Sequence, residues 1–348
     1  MILRRPAVGT YVPPDAAQQF RGVFSDLLGA RLPEYASRFA VYCGTYPGDA
    51  QKYVQYHQDM LDLAGVDVYD KRVLDAGCGF APALILYGIL GARELNGIEL
   101  QEEMVRTVRA YEPLLPPEIR QRLMLVEGSA SSLPYADRSM DIVLSNEAIS
   151  HYLDVPAFLG EVSRVLAPGG TLIIADSNNA RCRARRHDVY DLWEQFETGF
   201  HAPSEGVAGR KHYALKRLEI IRDQLPDLAD EAARELALRT HGMTREQLVG
   251  AVSAYRRSEA MPEQTYRRGQ VAVDPEGWVL ERLLDPFELA SGLRALGLDA
   301  RAYGYWGGAG RNRAIRITNR VLQRASRIAI STTENFRVVA TKTRVRAA

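Results

Sequence analysis

The stretch Val-Leu-Asp-Ala-Gly-Cys-Gly-Phe-Ala-Pro, residues 73–82, decides the fold of this chain of 348 residues. Its first part is apolar and typical of a buried strand. Gly77 and Gly79 favour a turn in which a ligand can approach the backbone without meeting a side chain. Pro82 suits the first turn of a helix, where its missing N–H is not needed. The stretch therefore predicts a strand, a glycine-lined loop and a helix.

Further short apolar runs follow this strand, and helical stretches such as residues 101–111 and 155–166 separate most of them. Strands that alternate with helices predict an α/β fold with a doubly wound, mostly parallel sheet. The predicted strands are residues 72–75, 94–99, 123–126, 140–144, 171–175, 298–305 and 336–341.

The alternation is interrupted by residues 183–260, which are charged and rich in helical patterns. We predict four segments from this change. They are an N-terminal helical segment (1–64), a Rossmann-like cofactor-binding core (65–182), an inserted helical lid or substrate cap (183–282) and a C-terminal part of the core sheet (283–348).

The composition excludes several classes of protein. Lys and Arg number 44 against 43 Asp and Glu, and this balance opposes a protein that grips nucleic acid. The three cysteines form no CxxC pair, so a disulfide framework and a cysteine-rich zinc site are not expected, and the histidines show no metal-ligand spacing. No apolar run reaches the ~18 residues of a membrane span. We expect a cytoplasmic protein whose oligomeric state stays open.

The loop of residues 77–81 could serve two classes of ligand. A dinucleotide site requires G-x-G-x-x-G to hold a pyrophosphate, and Pro82 stands where the third glycine would be. Asp75 precedes the first glycine by two positions, and its carboxylate would repel a pyrophosphate. The same carboxylate suits a ligand with an ammonium and a sulfonium group, which favours S-adenosylmethionine over NAD.

With these residues the sequence resembles the class I methyltransferases, whose first motif is D-x-G-x-G-x-G. Asp75, Gly77 and Gly79 match the motif, and Ala81 replaces its third glycine. Glu99 ends the second strand, where the family carries an acidic residue that binds the ribose hydroxyls of the cofactor.

Later motifs extend the resemblance over residues 72–176. Residues 127–143 are similar to the family's G-D-A…L-P-F…F-D-V block, although Ser129 replaces the aspartate that contacts adenine. Residues 161–170 resemble its E-x-x-R-V-L-K-P-G-G turn. The resemblance implies a methyltransferase that binds S-adenosyl-L-methionine. The residues implied in this binding are Asp75, Gly77, Cys78, Gly79, Glu99, Leu100, Ser129, Ala130 and Asn146.

The acceptor is expected at the carboxyl ends of the fourth and fifth predicted strands, where ligands sit in open parallel sheets. Methyl transfer is an in-line displacement that depends on alignment and exclusion of water. An oxygen nucleophile also benefits from a base, and Glu147 or His151 could take its proton. We therefore predict Glu147 and His151 as catalytic residues.

The sequence favours methylation of oxygen, or of carbon, on a small molecule such as a secondary metabolite, a sugar or a lipid-like compound. Residues 145–148 read S-N-E-A, whereas enzymes that methylate amino groups of nucleic-acid bases carry N/D-P-P-Y/F there. An NAD(P)-dependent oxidoreductase and a non-catalytic cofactor-binding scaffold remain alternatives.

Two groups of arginines stand apart from these motifs. Arg183, Arg185 and Arg186 follow the fifth predicted strand and could pair with an anionic substrate or be solvated. Residues 301–331 hold seven arginines and no acidic residue, with Ile317, Val321 and Ile328 at helical spacing beside them. Such a helix could make weak contact with a membrane surface or simply present a solvated face.

Overall fold

A computed structural model describes residues 12–199, 211–263, 267, 269–277, 279–306, 313–324 and 326–343. The chain forms two compact units. The first consists of residues 1–149, 154–179 and 285–348, and the second of residues 150–153 and 180–284. The predicted insert, residues 183–282, lies within the second unit.

The first unit contains a sheet of seven strands within the described residues. Its strands are β1 (Arg72–Ala76), β2 (Glu94–Glu99), β3 (Leu123–Glu127), β4 (Met140–Asn146), β5 (Leu166–Asp176), β6 (Leu298–Tyr305) and β7 (Asn335–Lys342). They lie in the order β3-β2-β1-β4-β5-β7-β6, and β7 runs antiparallel to both of its neighbours. The predicted doubly wound, mostly parallel sheet is confirmed.

Helices precede, separate and follow these strands. In chain order they are α1 (Ala16–Gly29), α2 (Ser37–Cys43), α3 (Tyr46–Ala64), α4 (Pro82–Ile89), α5 (Glu102–Tyr111), α6 (Pro117–Arg120), α7 (Val155–Val165), α8 (Arg183–Thr198), α9 (Tyr213–Gln224), α10 (Asp230–Arg239), α11 (Arg245–Ser258), α12 (Pro286–Ala295), α13 (Arg313–Arg324) and α14 (Ser326–Thr332). Of these, α8 to α11 belong to the second unit.

The direction of winding reverses beside β1. The chain moves outward from β1 to β2 and β3, and then returns to the other side of β1 with β4 and β5. The loop after β1 therefore opens at the point where the helices diverge to opposite faces, which is where open α/β sheets bind ligands. The topology places the glycine-lined loop at this point.

An ion pair on α7 holds the segment before β4 in place. Arg164 and Glu161 pair at 2.8 Å, and the guanidinium also donates to the carbonyl oxygens of Leu133 and Tyr135. The Glu161 carboxylate accepts a hydrogen bond from the Leu133 amide at 2.7 Å. The E-x-x-R motif thus fixes the course of residues 133–135 as the chain enters β4.

The second unit has a core of its own. Trp193, Phe196 and Tyr213 pack together and are buried, so these aromatic residues of the insert serve packing. Glu197 and Arg217 form a completely buried ion pair between α8 and α9. Arg185, one of the arginines considered for an anionic substrate, pairs with Glu281 at 2.7 Å.

Gly97 allows the close packing beneath the glycine-lined loop and provides a test of the fold. A methyl group there would lie 2.8 Å from the Cys78 Sγ atom and 2.9 Å from Leu84 and Leu125 side-chain atoms. Because buried side chains would have to shift, Gly97→Ala is expected to lower the free energy of unfolding by about 1–3 kcal/mol in a urea titration.

Gly22→Ala is the matched control, since a methyl group at that exposed position of α1 meets no atom within 4 Å. It should raise the free energy of unfolding by about 0.5–1 kcal/mol because alanine favours the helix. If the free energy of unfolding changed in the same direction in both variants, this description of the packing would be contradicted.

Candidate functional site

The loop after β1 adopts an unusual backbone. Gly77, Gly79 and Ala81 have φ angles of 71°, 54° and 54°, so every second residue is left-handed. Ala81 stands where the family motif has its third glycine, and its conformation shows why glycine is favoured there. Pro82 follows as the first residue of α4, as predicted.

Hydrogen bonds fix this loop to the end of β2. The amides of Gly77 and Cys78 donate to the carbonyl oxygen of Ile98 at 2.8 and 3.1 Å. One oxygen of the Glu99 carboxylate accepts from the Gly79 amide at 2.9 Å, and the other accepts from the Gln101 amide at 2.9 Å. The predicted residues Gly77, Cys78, Gly79 and Glu99 are therefore together at one edge of the sheet.

Asp75 lies at the base of the loop and is buried. Burial, together with the negative charge of Glu99, raises the pKa of Asp75 to about 8. A buried carboxylate without a cation is costly, so the group holds its proton until a positive charge approaches. The site is therefore electrostatically suited to a cationic ligand.

The other residues predicted to bind the cofactor lie at the same edge of the sheet or beside it. Leu100 follows Glu99 directly and is 49% exposed. β2 and β3 pair in register from Leu95 to Glu99, which brings Ser129 and Ala130 beside the end of β2. Ser129 is exposed, whereas Ala130 is buried.

The carboxyl ends of β4 and β5 carry a second group of polar side chains. The Tyr56 hydroxyl of α3 donates to the Asn146 Oδ1 atom at 2.8 Å. Glu147 has a φ of 50°, a conformation that is strained for a residue with a side chain. Its carboxylate accepts hydrogen bonds from the Ser177 hydroxyl at 2.7 Å and the Ser177 amide at 3.2 Å.

His151 belongs to the second unit, whereas Glu147 belongs to the first. The His151 Nδ1 atom lies 3.0 Å from the carbonyl oxygen of Val279, which orients the ring within its own unit. Whether His151 acts in catalysis stays a prediction.

The sequence motifs did not reveal a cluster of buried side chains near Asn146. Tyr56 of α3 contacts Tyr305 of β6 and Arg337 of β7, and His57 lies against Tyr56. The arginine interrupts the apolar run of residues 336–340, and this interruption was the only indication of it in the sequence.

Within the arginine-rich segment, residues 313–324 form α13 and residues from Ser326 onward form α14. Ile317, Val321 and Ile328 are exposed, by 55%, 59% and 73%. The side chains of Arg313, Arg316, Arg320 and Arg324 lie outside the described part of the structure. Across the described residues, no helix combines the length and the apolar character that crossing a membrane requires.

Comparison with known proteins agrees with the geometry of the loop. Residues 74–174 match the family model described as a methyltransferase domain. The chain carries a class I methyltransferase domain. The family and the fold imply S-adenosyl-L-methionine as the cofactor.

Several curated proteins are similar to this chain over part of its length. An uncharacterised protein of Escherichia coli, YafE, is 33% identical over 144 residues, which are 40% of this chain and 66% of that protein. A malonyl-[acyl-carrier protein] O-methyltransferase of Halorhodospira halophila is 32% identical over 46% of this chain and 59% of its own.

A fatty-acid O-methyltransferase of Mycolicibacterium smegmatis is 32% identical over 50% of this chain and 59% of its own. The chain spans about half the length of the curated relatives it matches.

The raised pKa of Asp75 predicts how stability depends on pH. The pKa of this acid is about 8 in the folded protein, against an ordinary value of 3.8. Between these two pH values the folded protein binds more protons than the unfolded chain. The free energy of unfolding therefore falls as the pH rises through this range. Asp75→Asn removes this dependence. The free energy of unfolding of the variant, minus that of the wild type, should therefore rise by about 1.4 kcal/mol per pH unit between pH 5 and 7 in urea titrations.

Asp26→Asn serves as the control because the Asp26 side chain is exposed. The difference between this variant and the wild type should stay constant over the same pH range. A constant difference for Asp75→Asn as well would contradict the burial of an uncompensated carboxylate beneath the loop.

Proposed function

We propose that this protein is an S-adenosylmethionine-dependent methyltransferase that methylates an oxygen of a small-molecule acceptor. The observation that carries the proposal is the buried Asp75 carboxyl group at the base of the left-handed loop. Its pKa is raised to about 8 because burial destabilises the ionised form, and a cation beside the group would stabilise that form. The ammonium group of the cofactor provides that cation.

Glu99 is proposed to bind the ribose hydroxyls. Each of its carboxylate oxygens accepts one backbone hydrogen bond, which orients the group and leaves acceptor capacity for a ligand. Gly77, Cys78 and Gly79 would line the methionine part of the cofactor. Leu100, Ser129 and Ala130 would lie on the adenine side, because they follow β2 and β3.

When bound, S-adenosylmethionine supplies an electrophilic methyl carbon whose bond to sulfur breaks as the bond to the acceptor oxygen forms. The chain contributes by aligning the acceptor with the methyl group. Asn146, at the end of β4, is the predicted residue proposed for this role. We infer that Glu147 accepts the proton of an acceptor hydroxyl. Its strained backbone and its hydrogen bonds to Ser177 hold the carboxylate at the ends of β4 and β5.

Oxygen as the methylated atom is supported by the relatives named malonyl-[acyl-carrier protein] O-methyltransferase and fatty-acid O-methyltransferase. Within this proposal carbon is the second candidate atom, and His151 stays the second candidate base. A weak membrane contact through α13 and α14 also stays a prediction, to which the exposed Ile317, Val321 and Ile328 lend support.

An oxidoreductase that binds NAD(P) is disfavoured by the same electrostatics. The Glu99 carboxylate beside the loop opposes the pyrophosphate of a dinucleotide, and that anion would not promote ionisation of Asp75. A non-catalytic scaffold would share the cofactor site, and only turnover with an acceptor separates it from an enzyme.

Calorimetric titration with S-adenosylhomocysteine, the demethylated cofactor, tests the proposal. Because Asp75 must lose its proton to pair with the ligand's ammonium, binding to the wild type at pH 6.5 should release about one proton. The number of protons follows from titrations in buffers of different ionisation enthalpy. Asp75→Asn should bind more weakly and release none, and Glu99→Gln should bind more weakly with the proton release retained.

NADH provides the competing ligand, and Asp26→Asn the control variant. The proposal predicts no binding of NADH and wild-type behaviour for the control. Tight binding of NADH together with no binding of S-adenosylhomocysteine would refute the proposed function.

A further inference from the structure

Arg337 of β7 is a buried cation with no role in the proposed binding of the cofactor. Its side chain is 1% exposed, and its three guanidinium nitrogens make no well-aligned hydrogen bond among the described residues, although the Tyr305 hydroxyl lies within their reach. The Cζ atom lies 3.7 Å from the ring centroid of Tyr305 and 5.2 Å from that of Tyr56. The rings stabilise the charge in part, but they do not satisfy the N–H groups.

Such an arrangement is costly unless an anion completes it. A guanidinium cannot give up its proton to escape burial, and each buried N–H without an acceptor carries a desolvation cost. Glu147 and Asp176 lie near enough to raise the pKa of Tyr56, although burial is the main cause. Their carboxylates instead bind Ser177 and the Asn178 amide.

His57 gives a second, independent observation in the same cluster. Its Nδ1 atom lies 2.9 Å from the Tyr87 hydroxyl, and its buried Nε2 atom has no partner within the described ranges. Burial, aided by the charge of Arg337, lowers the pKa of His57 to about 3, so the ring is neutral. When Tyr87 donates to Nδ1, the ring hydrogen is on Nε2. The cluster then offers donors from two side chains.

The position of Arg337 connects the cluster to the proposed reaction. Asn146 of β4 pairs with Ala175 of β5, and Ala175 pairs with Arg337. Residues paired in this way project to the same face of a sheet, and Tyr56 touches both Asn146 and Arg337. The donors therefore lie on the face and at the edge where the acceptor is proposed to bind.

We propose that Arg337 and His57 form a subsite for a carboxylate of the methyl acceptor. A guanidinium with its hydrogen-bonding directions open suits a planar anion that can accept two parallel hydrogen bonds. This inference rests on the proposed function and narrows its substrate class to molecules that bear a carboxylate. The cofactor carries a carboxylate too, so the test must separate the two sources.

The first arm uses the wild-type protein saturated with S-adenosylhomocysteine. Straight-chain carboxylates from butyrate to decanoate, and primary alcohols of the same chain lengths, serve as probes in calorimetric titrations. Carboxylates should bind at least about tenfold more tightly than the matching alcohols, as expected for hydrogen bonds to a charged group. Equal binding of the two series overturns the subsite for the acceptor.

The second arm compares Arg337→Met with Arg301→Met, which removes an exposed arginine from the neighbouring strand. The first variant should lose the preference for carboxylates and keep its affinity for S-adenosylhomocysteine, whereas the second should match the wild type. An unchanged preference in Arg337→Met overturns the proposal. If this variant does not fold, Arg337→Lys replaces it and should reduce the preference, because lysine keeps the charge without the planar fork.

The third arm tests the cofactor as the source of the carboxylate. Methylthioadenosine lacks the amino-acid group that S-adenosylhomocysteine carries. If Arg337→Met weakens the binding of S-adenosylhomocysteine but not that of methylthioadenosine, the subsite serves the cofactor. Its assignment to the acceptor is then wrong. If the wild type binds no S-adenosylhomocysteine at all, the proposed function itself fails, which is distinct from a missing preference among the probes.

Discussion

The hydrogen bonds between the loop of residues 77–81 and the end of β2 are the constraint on which the site depends. The Ile98 carbonyl and the Glu99 carboxylate accept hydrogen bonds from three consecutive amides of that loop. These bonds hold the loop in its left-handed conformation, and the small residue Gly97 lets Cys78 pack beneath it. A backbone fixed in this way needs no rearrangement when a ligand arrives, so its binding surface is preorganised.

The charges of the first unit are separated along the edge of the sheet. Around β1 and β2 lie the Glu99 carboxylate and the Asp75 carboxyl group, which becomes negative when it loses its proton, whereas Arg337 is the buried cation of the part around β7. Each group is costly when it stands alone in a buried place, and each is relieved by a ligand of opposite charge. A cationic cofactor at one end and an anionic acceptor group at the other would satisfy both, and the reacting atoms would lie between them near Asn146.

Much of this arrangement could be predicted from the sequence because it is encoded locally. The strand, loop and helix of residues 73–82 depend on glycine, proline and apolar residues within one short stretch, and all three are present as predicted. The predicted bounds of β2 and β6 are those of the structure, and β5 extends further toward its N-terminus, to Leu166. The bound of β5 was missed because Pro168 and Gly169 are typical of a turn.

The cluster around Arg337 could not be predicted in the same way. Its members come from α3, β6 and β7, and only the packing of distant segments brings them together. Likewise, no local pattern shows that His151 groups with residues 180–284, because that depends on contacts such as the one between His151 and Val279. Motifs within one β-α-β unit are readable from sequence, whereas a substrate site assembled across the sheet is not.

A crystal structure of the complex with S-adenosylhomocysteine tests the central claim most directly. The account predicts that the ligand's ammonium lies within hydrogen-bond distance of the Asp75 carboxylate and that both ribose hydroxyls donate to Glu99. A complex in which the nucleoside lies away from the loop of residues 77–81, or in which a dinucleotide occupies it instead, would contradict the account.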